Sequence, residues 1–90
     1  MANTAAAKKR IRSSARRQAR NRVYRASART YVKNTRKALA AGALTQAEEQ
    51  AQMAYSVLDK AARKGIVHPR NAARRKGRLM AALAAAQSKQ

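Results

Sequence analysis

Apolar positions recur at helical spacing in three stretches of the chain. Leu44, Ala47, Ala51, Ala54, Leu58 and Ala61 follow a 3-4-3-4-3 spacing with Tyr55 beside them, while Glu48, Gln52 and Asp59 fall outside the stripe. Ala72, Leu79 and Leu83 share a second face, with Met80 adjacent and Arg70, Arg74 and Arg78 opposite. Tyr24, Ala28, Tyr31, Thr35 and Leu39 form a third, with Arg22, Arg25, Arg29, Lys33 and Arg36 stacked on the reverse side. Each pattern predicts an amphipathic helix.

Punctuation residues divide the helices. Gly42 suits the left-handed position after a helix, and Gly65 repeats that signal behind Lys60, Arg63 and Lys64, cations that favour a helix C-terminus. Thr45-Gln46-Ala47-Glu48 fits a capping box, with Thr45 as N-cap and Glu48 at the third helical position. His68-Pro69 places proline at the first position of a third helix. The expected elements are helices over 8–40, 45–64 and 69–87 joined by short turns. The fold class is all-α: an antiparallel three-helix bundle in a single domain, 1–90, with a long basic first helix.

The front of the first helix breaks the pattern. Lys8, Lys9, Arg10, Arg12, Arg16, Arg17, Arg20 and Arg22 point almost all round the axis, and Ile11 is the one bulky apolar residue before Val23. A helix without an apolar stripe has nothing to pack against. Residues 1–22 are therefore expected to form an extended basic arm beyond the bundle, frayed in isolation and ordered against a partner.

Composition sharpens this picture. The 90 residues include 22 Lys+Arg and 3 Asp+Glu, for a formal net charge of +19. The charge is segregated: 13 basic residues and no acid in 1–37, all three acids (Glu48, Glu49, Asp59) and no base in 38–59, and 9 basic residues in 60–90. A globular chain of this mass would expose about 5,200 Å², or about one net positive charge per 270 Å². Such density opposes compaction unless a polyanion neutralises it. The apolar fraction is 46%, but 24 residues are alanine and none is Phe or Trp. Alanine favours helix and buries little, so the core should be thin.

These features exclude more than they admit. There is no cysteine, so no disulfide framework or thiolate chemistry. His68 stands alone and suits a turn, an N-cap or an RNA contact better than a metal. Glu48 and Glu49, about 100° apart on a helix, cannot face each other as an acid–base pair. Asp59 is placed to pair with Arg63 one turn on. Three isolated glycines make no phosphate loop, and no cofactor site, small-molecule substrate or enzyme activity is expected. No apolar run approaches a membrane span. An interfacial helix would set Trp, Phe or Leu against its charge, whereas the most basic segment here has the least apolar surface. A transit peptide is disfavoured because the basic pattern resumes at Lys60.

Nucleic acid is thus the expected partner. The tyrosines occupy seam positions, so no single-strand stacking platform is apparent. A long cationic rod suits folded RNA, where phosphate ridges converge, more than DNA. A DNA-compacting nucleoid protein is the rival reading, although it would need a dimer interface or a bending wedge, and no spare apolar surface remains for either.

Several stretches carry a resemblance. Met1-Ala2-Asn3 followed by Ala7-Lys8-Lys9-Arg10, the Arg29-Thr30-Tyr31-Val32-Lys33 segment, the run Lys64-Gly65-Ile66-Val67-His68, and Asn71-Ala72-Ala73-Arg74 with Lys76 and Arg78-Leu79 together resemble the bacterial small-subunit ribosomal protein S-twenty family over essentially the whole chain. Pro69 departs from the pattern, which has Lys there, and the centre is richer in alanine. The resemblance implies a three-helix bundle in the cytoplasmic ribosome. It implies direct binding to 16S ribosomal RNA of the small subunit, at the 5′ domain and the penultimate stem. It assigns RNA contact to Lys8, Lys9, Arg10, Arg12, Arg74, Lys76 and Arg78. Face and charge analysis adds Arg16, Arg17, Arg20, Arg22, Arg25, Arg29, Lys33, Arg36, Arg70 and Arg75. Helix two is expected to close the bundle and face mostly away from RNA.

Overall fold

In the computed structural model the chain is described from Thr4 to Lys89 and contains three helices: α1 (Ala5–Ala40), α2 (Leu44–Arg63) and α3 (Pro69–Ser88). The all-α expectation holds. The Met1–Asn3 part of the arm and of the resemblance lies outside the described residues.

α1 begins three residues earlier than its charge pattern indicated. The Thr4 hydroxyl accepts the Ala7 amide proton at 3.1 Å, and three alanines then propagate the helix. At its end, Gly42 adopts φ +75°. The Gly42 N–H donates to the Leu39 carbonyl at 3.1 Å and the Ala43 N–H to the Ala38 carbonyl at 2.9 Å, the paired bonds of a Schellman cap. The α2 end repeats the device at Gly65, φ +75°, with Gly65 N–H to Ala62 and Ile66 N–H to Ala61 at 3.1 and 2.8 Å. Ile66, 6% exposed, adds the apolar contact that accompanies such caps.

The capping box is corrected. The cap of α1 delivers the chain directly into α2, so that Ala43 is the N-cap without a side-chain hydrogen bond and Thr45 lies inside the helix. Glu48 instead accepts a hydrogen bond from the Gln87 amide, 2.7 Å away near the end of α3. His68 does cap α3: its Nδ1 accepts the Arg70 amide proton at 3.1 Å, with Pro69 at the first helical position.

α2 lies between its neighbours rather than closing one side. α1 and α3 both pack principally on α2 and touch each other little. The expected seam of α2 is the centre of the core: Ala47, Ala51, Ala54, Leu58 and Ala61 are buried. At one end Ala38, Ala47, Ala51 and Leu83 cluster, and toward the other Ala28, Leu58 and Ala72. Thr35 is fully buried, and its hydroxyl donates to the Tyr31 carbonyl at 2.7 Å, satisfying it locally. Leu58, Leu79 and Thr35 are the largest fully buried side chains, a measure of how thin the core is.

Nothing packs on the front of α1. Ile11 is 62% exposed, and the eight cations from Lys8 to Arg22 are all exposed. At 1.5 Å per residue α1 is about 54 Å long, and the molecule measures 64 × 22 × 16 Å. Its radius of gyration is 17.6 Å, against about 12 Å for a compact domain of this length. Its surface of 6704 Å² likewise exceeds the globular expectation. The arm is a continuation of α1, held by its helical backbone bonds and by local side-chain bonds of Thr4 and Ser14.

Candidate nucleic-acid interface

The charged residues singled out from the sequence fall into three groups. Along the arm, Lys8, Lys9, Arg10, Arg12, Arg16, Arg17, Arg20 and Arg22 surround the axis, and the α1 sequence contains no acid to offset them. Arg17 donates to the Ser14 hydroxyl at 3.4 Å. The second group, Arg25, Arg29, Lys33 and Arg36, is exposed on α1 beside the bundle. Arg25 also donates to the Ile66 carbonyl at 3.2 Å, tying the base of the arm to the turn before α3.

On α3, Arg70, Arg74 and Arg78 are exposed, while Arg75 and Lys76 are half-buried. Lys76 corrects one expectation. Asp59 pairs not with Arg63 but with Lys76, whose Nζ lies 3.0 and 3.1 Å from the two carboxylate oxygens. Asp59 stands on the flank of α2 that meets α3, so the partner across the interface outcompetes the one along the helix. The same ammonium sits 5.7 Å from the Tyr55 ring centroid. Burial pushes the Tyr55 phenol above its usual range, and Lys76 partly offsets this. Lys76 is thus balanced inside the protein in a way that the arm residues are not.

The tyrosines occupy the bundle seams, as their spacing indicated: Tyr24, Tyr31 and Tyr55 are all half-buried. Lys64 lies 5.9 Å from the Tyr24 ring centroid, a cation contact along the bundle's flank. Among the described residues no group of three His, Asp or Glu side chains could hold a metal ion, and no helix is long and apolar enough to cross a membrane. Asn21 carries the one buried side-chain atom without a hydrogen-bond partner among the described residues, its Oδ1.

The limited contact between α1 and α3 leaves a trough that sequence reasoning missed. One compartment, of about 460 Å³, is lined by Arg29, Val32, Lys33, Arg36, Ala40 and Arg75 among others. The next, of about 350 Å³, shares Arg29 and Arg75 and adds Arg25, His68 and Asn71. A signal for it existed: Val32 lies within about 60° of both Arg29 and Arg36 on the helical wheel, an apolar residue amid the basic face. Arg75 could be placed opposite only once the helices were assembled.

Comparison with known proteins agrees with this architecture. Residues 2–84 match the family model described as Ribosomal protein S20. A protein named small ribosomal subunit protein bS20 from Roseiflexus sp. is 52% identical over 79 residues, covering 88% of this chain and 86% of its own. The protein of the same name from Nitrosomonas europaea is 49% identical over 85 residues, covering 94% and 98%. That from Thermomicrobium roseum is 50% identical over 80 residues, covering 89% and 81%. With the family model spanning nearly the whole chain, and with relatives near one-half identical over most of its length, this chain belongs to the ribosomal protein S20 family.

Proposed function

We propose that the protein is a structural, non-catalytic constituent of the small ribosomal subunit that binds 16S ribosomal RNA directly and stabilises its fold. One observation carries this reading: α1 runs for 36 residues without an acid, and none of its residues from Ala5 to Arg20 is buried by the bundle. A helix kept clear of the bundle at this charge density gains its stability from phosphates, and each neutralised phosphate releases condensed counterions. The names of the relatives support the ribosomal setting. The arm would lie between RNA segments, with Arg70, Arg74 and Arg78 of α3 offering a second basic face. The RNA regions implied by the resemblance, the 5′ domain and the penultimate stem, belong to this reading, as does the cytoplasmic ribosome. RNA folding and the stability of residues 8–22 would be coupled, each supporting the other.

The test is sedimentation with small subunits through a high-salt wash. Retention at one copy per subunit is the expected result, and complete release overturns the reading. A competition arm addresses DNA: if duplex DNA displaces the protein from small-subunit RNA at comparable concentration in physiological salt, the ribosomal assignment gives way to DNA compaction.

A further inference from the structure

The two compartments of the α1–α3 trough differ in chemistry in a way that plain phosphate neutralisation does not require. The first is lined almost wholly by hydrocarbon: Val32, Ala40 and the stems of long side chains. Yet five cationic residues, Arg29, Lys33, Arg36, Lys37 and Arg75, contribute to its walls. The second is predominantly polar and shares Arg29 and Arg75 with the first. A phosphate alone needs the cations and gains nothing from an apolar floor. A paired duplex offers phosphates while keeping its base faces stacked inside. The ligand matching both halves is an anion with a flat, weakly hydrated face.

We infer that the trough seats an unstacked nucleotide of the RNA partner, with its base on the Val32–Ala40 floor and its flanking phosphates held by Arg29 and Arg75. This rests on the RNA-binding reading above and deepens it by naming a subsite. Folded RNA supplies such nucleotides at bulges and loops, and proteins hold them by stacking on planar or apolar side chains, guanidinium groups included. Because the floor offers scarcely any polar atoms, the base edges go unread. The subsite selects for a base that has left its stack rather than for which base it is.

The test titrates the full-length, methyl-labelled protein with single-stranded octamers of rA, rU and rC, a mixed-sequence RNA duplex, ribose 5-phosphate, and phosphatidylglycerol vesicles at matched ionic strength. The expected result is cross-relaxation between the Val32 methyl groups and base protons for all three single strands and none for the duplex. Ribose 5-phosphate should move the Arg29 and Arg75 side-chain signals alone. Val32 methyl groups silent toward every single strand, while the arginines respond, would leave only charge attraction and sink the subsite. A stronger methyl response to the vesicles than to RNA would reassign it to lipid.

A second measurement uses small-subunit RNA. Val32→Glu should weaken binding roughly tenfold, whereas Ser56→Glu, the same charge change on the exposed side of α2, should cost less than about twofold. Equal losses overturn the subsite. Failure of the parent protein to bind that RNA overturns the broader proposal instead, so the two outcomes are distinguishable.

Discussion

The two halves of α1 share one helix, one backbone hydrogen-bond pattern and one sign of charge, yet they are held in place by different things. From Tyr24 to Leu39 the helix has a seam against α2, with Ala28, Thr35 and Ala38 buried. From Ala5 to Arg20 no residue is buried. Alanine content keeps both halves helical, since propensity acts residue by residue, but only the rear half adds tertiary packing, the usual source of helix stability in proteins. Helical conformation and structural stability are therefore separable along one continuous element, and the separation coincides with the loss of apolar periodicity.

That contrast can be broken most forcefully in the core. Leu58→Ala removes the largest of the buried side chains of α2, and should cost about 2–5 kcal/mol, enough to abolish the cooperative thermal transition followed by circular dichroism. Its mirror image is the triple replacement of Arg12, Arg16 and Arg20 by Ala, which should leave that transition in place. It should weaken RNA binding and flatten the plot of log affinity against log salt by about 2–3 units in slope if all three meet phosphates. An unaltered binding curve would remove the arm from the interface.

Smaller effects sharpen the comparison. Gly65→Ala forces a side chain into φ +75° and should destabilise by about 1–2 kcal/mol in chemical denaturation. Gly77 makes the opposite case: it sits inside α3, where an added methyl group meets nothing within 4 Å. Gly77→Ala should stabilise by about 0.5–1 kcal/mol, read as a raised Tm. The least effect concerns pH. With the folded Tyr55 phenol raised above its usual value of 10.0, the unfolded chain loses its proton first. This contribution is therefore fully present below about pH 10 and declines as pH rises beyond it. Denaturation midpoints measured in steps up to pH 11 should fall, and the Tyr55→Phe variant should lose that part of the decline.

What the chain revealed in advance follows from the range of each interaction. Gly42, Gly65 and His68-Pro69 were legible because a cap is settled within a few residues of itself. The α2 seam was legible because its period repeats five times. Thr4 was passed over because the charge pattern starts later than the cap. The Thr45 box matched a local motif but lost to the preceding Schellman turn, whose hydrogen bonds leave Ala43 as the first residue before the helix. The Asp59–Lys76 pair and the trough near Arg75 depend on how α3 lies across α2, which no spacing along one helix encodes. The basic faces of α1 and α3 could be read as surfaces; their juxtaposition could not.

The tight glycine turns at 42 and 65 also bear on how quickly the protein acquires its shape. Each joins helices that are neighbours in sequence, and α2 is the shared partner of both, while α1 and α3, the two helices farthest apart along the chain, meet little. Little loop entropy stands between the unfolded chain and its first hairpin. Folding in the range of microseconds to milliseconds is expected for such a short-range topology. The bundle would then be ready on a timescale far shorter than the seconds needed to synthesise it.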